Sequence, residues 1–214
     1  MRGRGQDRPW RHEKRQGRDL LNPVVPFGRV LENAPPGWTL KSTKQVYENY
    51  YLTVYEDMLN LAGTPKKYIR AERQNYSTIV PFTSDGRILT IKSYRHLVDS
   101  YQIEVPSGYI DEGESPEQAA VRELEEETGF VAEKMLPVGS YTLDYSMIIQ
   151  TGYIFAAYGL ENKGRQQLGN MEILEMEFLP VQQIKDLLLG GKILNAASIV
   201  ALYRAIEFDS RLGK

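Results

Sequence analysis

Residues Ser107 to Phe130, SGYIDEGESPEQAAVRELEEETGF, carry seven glutamates and one aspartate against one arginine and no lysine. Charge this dense repels itself unless solvent or a counter-ion relieves it. The second half has the punctuation of a helix. Ser115 is a good N-cap, Pro116 suits the first helical position, Gln118 completes a capping box and Gly129 supplies the stop. Glu123, Glu126 and Glu127 stand at i, i+3 and i+4, within about 100° of arc, so their carboxylates are expected to converge on one face of that helix. Val121 and Leu124 point to another face, toward the core. Two readings follow. One is a solvated acidic face with Arg122 as partial counter-ion. The other is an oxygen-only site for a hard divalent ion, Mg²⁺ or Mn²⁺. Because Mg²⁺ keeps waters and bridges to phosphates, the second reading points to metal-assisted phosphate chemistry.

Composition removes several competitors. The chain has no cysteine, which excludes disulfides, thiolate metal sites and a cysteine nucleophile, and suits a reducing compartment such as the cytoplasm. His12 and His96 are the only histidines, and neither has a motif around it. No apolar run reaches the roughly 18 residues of a membrane span, and no apolar segment marks a secretory signal at the N-terminus. A net charge of −2 over 214 residues does not describe a general nucleic-acid or membrane binder.

That charge is unevenly spread. The first 20 residues hold seven Lys/Arg against three Asp/Glu, leaving −6 for the remainder. Residues 1–34 read as a flexible basic arm, either a partner-binding tail or a solvated extension. Residues 35–75 begin with the turn ENAPPGWTL and continue as one or two strands in QVYENYYLTVYEDMLNL, with AGTPKK as a turn. They read as a small antiparallel β sub-domain. Residues 76–210 read as the main domain. Here SDG (Ser84 to Gly86) makes a hairpin connection between YSTIVPF and RILTIKSY, and YQIEVPSGYI is a strand ended by Pro106. MLPVGSYTL, TGYIFAAYGL and EILEMEFLPV are further strands, and VQQIKDLLLGG and NAASIVALYRAIEF are helices. Strands with one helix in the middle and two at the end argue an α/β fold of α+β type, a mixed sheet sandwiched between helices.

The spacing around the acidic helix is more specific than its charge. Gly108, five residues, Glu114, seven residues and then RELEEETGF match every fixed position of the Nudix box. The chain therefore resembles the Nudix hydrolases, which cut the pyrophosphate of a nucleoside diphosphate linked to another group. Carried over by that resemblance, Glu123, Glu126 and Glu127 hold Mg²⁺, with the Ser107 carbonyl as a further ligand. Glu114 and Arg122 pair to fix the loop onto the helix, Gly108 lets the backbone approach the metal, and Gly129 ends the motif. YRH at Tyr94–His96, QIEVPSG at Gln102–Gly108 and GGKILNAASIVALYRAIE at Gly190–Glu207 extend the similarity to the ADP-sugar pyrophosphatase branch. So does GWTLKSTKQVYENYYLTVYEDML, whose counterpart swaps across a homodimer. The resemblance implies a nucleotide-sugar substrate and dimerisation through the β sub-domain; the alternatives are a Nudix hydrolase of another nucleoside diphosphate derivative (a dinucleotide, a nucleotide or an RNA cap) and a non-catalytic Nudix binding module. By the same analogy Trp38 stacks on a base in the partner's site or merely packs, Arg95 contacts phosphate or stays an exposed strand arginine, and Glu104 assists the metal site or fills a structural hydrogen-bonding role.

Two segments depart from the branch. Where ADP-ribose hydrolases carry a proline-glycine signature, this chain reads TLDYSMIIQTGY, with Tyr145 near the proline's place. The late loop that is acidic in the branch reads LENKGRQQLGNMEILEMEF. Glu172 is the candidate there for positioning the attacking water, with Glu161 and Glu175 behind it. Otherwise Glu123 or Glu126 acts as base.

Overall fold

The computed structural model describes residues 33–164 and 173–212. The basic arm, apart from its last two residues, lies outside them, as do Arg165 and Glu172.

Three strands build the N-terminal unit: β1 (Trp38–Glu48), β2 (Thr53–Leu61) and β3 (Thr64–Glu72), paired antiparallel in that order. The β2–β3 connection is shorter than AGTPKK suggested. Ala62 and Gly63, both at positive φ, turn the chain alone, and Leu61 already pairs with Thr64. Two consecutive residues at positive φ are what a tight two-residue hairpin requires, so Pro65, Lys66 and Lys67 fall into the strand.

The chain continues with β4 (Tyr76–Pro81), β5 (Arg87–Arg95), β6 (Ser100–Glu104), β7 (Ser107–Tyr109), α1 (Pro116–Thr128), β8 (Phe130–Tyr141), β9 (Ile148–Ile149), β10 (Gly152–Asn162), β11 (Ile173–Pro180), α2 (Val181–Leu189) and α3 (Ala196–Leu212). One four-stranded mixed sheet runs β7-β4-β10-β8, with β4 and β10 parallel. A three-stranded antiparallel sheet runs β11-β5-β6. The turn at Ser84–Gly86 is therefore not a regular hairpin. It carries the chain from one sheet to the other, and a single bridge, Phe82 to Ile88, joins the two sides.

Strand alternation explains the sandwich. Tyr153, Phe155 and Ala157 of β10 pack with Ile79, Ala120 and Leu124 under α1. Ile154 and Ala156, pointing the other way, pack with Val80, Leu202 and Ala205 under α3 and with Ile184 of α2. Ser115 and Gln118 form the capping box, and Gly129 ends α1 in the left-handed conformation. Leu124 is fully buried, but Val121 is 45% exposed. Ala119 and Ala120 occupy the inner face instead, which leaves Val121 on the outer side.

The short strand β9 lies parallel to β3, matching Ala71 with Ile148 and Glu72 with Ile149. The segment after β8 is thereby built into the edge of the N-terminal sheet. Among the described residues, no helix is long and apolar enough to cross a membrane.

Candidate active site

The loop between β7 and α1 is fastened by one guanidinium. Arg122 donates from Nε and Nη2 to the two oxygens of Glu114, at 3.0 and 2.9 Å, and from Nη2 to the Tyr109 carbonyl at 2.8 Å. Glu114 in turn accepts from the Asp111 amide. The fork holds the Glu114 carboxyl below its usual range and raises Arg122 further. The same Arg122 reaches Glu123 at 2.5 Å and Glu126 at 3.2 Å through Nη1.

Glu123 and Glu127 lie in the angle between α1 and β7. A Cβ placed on Gly108 would collide with the Glu123 carboxylate, so glycine is what allows that approach. The Ser107 amide donates to Glu127 Oε2 at 2.9 Å. Burial pushes Glu127 up to about 8, against the Ser107 hydrogen bond and the Arg95 charge, while Glu123 and Glu104 repel it. Glu123 is also raised by burial, against its contact with Arg122.

The three helix glutamates leave one side of α1, but their carboxylates do not gather at a point. Among the described residues, no three acidic or histidine side chains form a ready metal cluster. Arg122 draws Glu123 and Glu126 one way, and Glu126 stays 41% exposed. Glu127 is held the other way by β7. The donors nonetheless fit a hard divalent cation. They are all oxygens, and two are carboxyls whose burial disfavours ionisation without a positive partner.

Arg95 and Glu104 form the next layer. Arg95 grips Glu104 through Nε at 3.1 Å and Nη2 at 2.5 Å, and Glu104 is 2% exposed. Arg95 is thus anchored by a buried carboxylate while its own side chain stays 39% exposed.

Beside the Ser107–Gly108 backbone opens a cleft of about 240 Å³ lined by Arg73, Tyr109, Leu143, Gln150 and Asn195 among others. Arg73 donates to the Tyr109 hydroxyl, and its guanidinium lies over that ring. Arg73 stands in no motif that marks it, and Asn195 lies within the branch-like segment Gly190–Glu207 without being singled out there. Asn195 could have been found as a helix N-cap, because LNAAS precedes an apolar helical run. Trp38 is not among the cleft's lining residues. It opens β1, the strand of the N-terminal sheet farthest from β9. Glu161 pairs with Lys163 and Glu175 with Lys92, all exposed, and Glu172 lies outside the described residues.

A profile described as the NUDIX domain matches residues 72–201. The chain belongs to the Nudix family. It is an enzyme of that family, a Nudix hydrolase. Among its relatives, a Bacillus subtilis protein named ADP-ribose pyrophosphatase is 23% identical over 161 residues, covering 74% of this chain and 87% of the relative. An Escherichia coli protein named ADP compounds hydrolase NudE is 28% identical over 177 residues, covering 83% and 88%. A crystal structure of an ADP compounds hydrolase superposes with a TM-score of 0.74 at 25% identity, over 84% of this chain and 98% of that one. The Nudix fold of this chain is the α+β sandwich described above.

Proposed function

We propose that this Nudix hydrolase cuts the pyrophosphate bond of a nucleoside diphosphate sugar of the ADP-ribose or ADP-sugar type. The products are a nucleoside monophosphate and a sugar phosphate. The observation that carries the reading is the placement of half-buried Glu123 and Glu127 against the Ser107–Gly108 backbone, next to a cleft containing Arg73. The relatives' names point to the same substrate class.

In this reading Glu123, Glu126 and Glu127, with the Ser107 carbonyl, hold Mg²⁺, and Mn²⁺ suits the same donors. A bound divalent cation supplies charge neutralisation at the pyrophosphate and a water acidified for attack. Arg122 and Glu114 keep the loop closed onto α1. Arg95, braced by Glu104, faces the developing phosphate charge, and Arg73 meets a second anionic or polar part of the substrate. Glu172 is assigned the role of orienting the attacking water, since Glu161 and Glu175 are committed to surface pairs.

The protein works as a homodimer in this reading. Val46, Tyr47 and Ile69 on the N-terminal sheet, with Tyr50 and Tyr51 in the β1–β2 turn, leave a large apolar set exposed, which a second copy would cover while bringing Trp38 to its partner's cleft. The absence of cysteine from the sequence fits a cytoplasmic site of action.

A substrate panel with Mg²⁺ tests the function directly: ADP-ribose, ADP-glucose, GDP-mannose, NADH and capped RNA. Fastest turnover of an ADP-sugar is expected. Turnover of none, or preference for capped RNA, overturns the reading. Sedimentation of the full chain tests the dimer, which a monomer at micromolar concentration would refute.

A further inference from the structure

The start of α3 touches the active-site layer at two residues, the cap Asn195 and Ser198 in the first turn. Asn195 caps the helix, its Oδ1 accepting the Ser198 amide at 3.1 Å. Its other side-chain atom, Nδ2, donates to Glu104 Oε1 at 3.3 Å. Ser198 is itself buried, and its Oγ accepts the Val105 amide at 3.2 Å. Pro106 follows, and its carbonyl accepts the Ile79 amide. Ser107 then bonds Glu127. The four residues Glu104–Ser107 are therefore held from one side by the cap of α3 and from the other by β4 and α1.

The consequence concerns Arg95. Glu104 Oε1 receives both Arg95 Nε and Asn195 Nδ2, while Oε2 receives Arg95 Nη2. A carboxylate held only by an arginine can rotate with it. A third donor, fixed at a helix cap, sets the carboxylate plane and so the guanidinium plane. We propose that Asn195 is a positioning residue for the hydrolysis, aiming Arg95 at the phosphate through Glu104. This rests on the pyrophosphatase reading for its catalytic meaning, but the geometry it asserts can be measured without substrate.

The variant that separates capping from positioning is Asn195→Ser. Serine caps as well as asparagine, adds no charge, and cannot reach Glu104. Asn195→Asp is the second variant, retaining the cap oxygen while removing the donor. Asn195→Ser is expected to melt within about 3 °C of the wild type, whereas Asn195→Asp sets a second carboxylate against buried Glu104 and should melt lower. Hydrolysis of the best substrate in the panel should show kcat down by about tenfold with KM within about twofold, the pattern of a misaimed group rather than a lost binding contact. In the metal-free protein, the Arg95 Nε–H resonance, assigned by its loss in Arg95→Lys, should be protected from exchange and should shift in Asn195→Ser. An Arg95 resonance that does not move, or a kcat within twofold of wild type, overturns the proposal. If the wild type turns over no substrate, the pyrophosphatase reading falls, while the resonance still decides whether Asn195 fixes Arg95.

Discussion

Glu127 is a half-buried residue whose carboxyl Oε2 takes a 2.9 Å hydrogen bond from the Ser107 amide and which desolvation still pushes up to about 8. The native metal-free protein therefore keeps a proton that the unfolded chain, with an ordinary carboxyl near 4.3, releases. This cost is absent below about pH 4.5, grows with pH, and is complete above about pH 8. Melting in EDTA should show a stability contribution that declines across that window. Millimolar Mg²⁺ should remove the decline, because the metal stabilises the ionised form. Calorimetry of Mg²⁺ binding at neutral pH should show proton release, read from its dependence on buffer ionisation heat.

Gly108→Ala should separate activity from stability. The added Cβ meets the far end of the Glu123 side chain, which can swing away at little cost to the fold. The melting temperature should stay close to wild type, while Mg²⁺-dependent turnover drops by on the order of 100-fold. A loss of stability without loss of turnover would contradict the role given to Glu123.

Glu114→Gln removes the charged acceptor of a two-point Arg122 fork that is mostly buried. A cost of about 2 kcal/mol is expected, a fall of several degrees in melting temperature. Because Arg122 lowers the Glu114 pKa, the wild type keeps this contribution above about pH 4.3 and loses it as pH falls through the lowered value. The difference between variant and wild type should shrink in acid, as parallel melts at low and neutral pH would show.

Glu126→Gln should leave the melting temperature nearly unchanged, since Glu126 is the most exposed of the three helix glutamates and its 3.2 Å contact with Arg122 is a solvent-screened one. Turnover should fall by on the order of 100-fold and recover little at high Mg²⁺. Unchanged rates would remove Glu126 from the metal set.

Arg73→Ala tests the cleft. Arg73 lines the cleft away from the α1 carboxylates, so its loss should raise KM by about tenfold and spare kcat. Steady-state kinetics over a wide substrate range would show the split.

The helix and its loop were the most legible part of the chain. Capping residues act locally, and Ser115, Gln118 and Gly129 follow from positions a few residues apart, whereas the Glu114–Arg122 pairing was legible only through the resemblance to the Nudix box. Val121 was misjudged because two alanines, Ala119 and Ala120, fill the inner face where periodicity favoured a larger residue. Turn chemistry also misled twice. AGTPKK contained a two-residue turn inside a longer-looking one, and SDG joined two sheets rather than two neighbouring strands. Arg73 and Asn195 escaped notice for another reason. Each matters through partners far away in sequence, Tyr109 and Glu104, which no local pattern encodes.

The pairing of β9 with β3 bears on how the gene can be cut. The boundary near residue 75 looks like a natural place to divide the protein, yet Thr151 bonds Asn75, Gln150 bonds Gln74, and Arg73 bonds Ile149 across it. An expression clone begun at Tyr76 would bare the backbone edge at Ile148–Ile149 and delete a wall of its own cleft. Any shortened form meant for crystallisation, or for fusion to another protein, must keep β3.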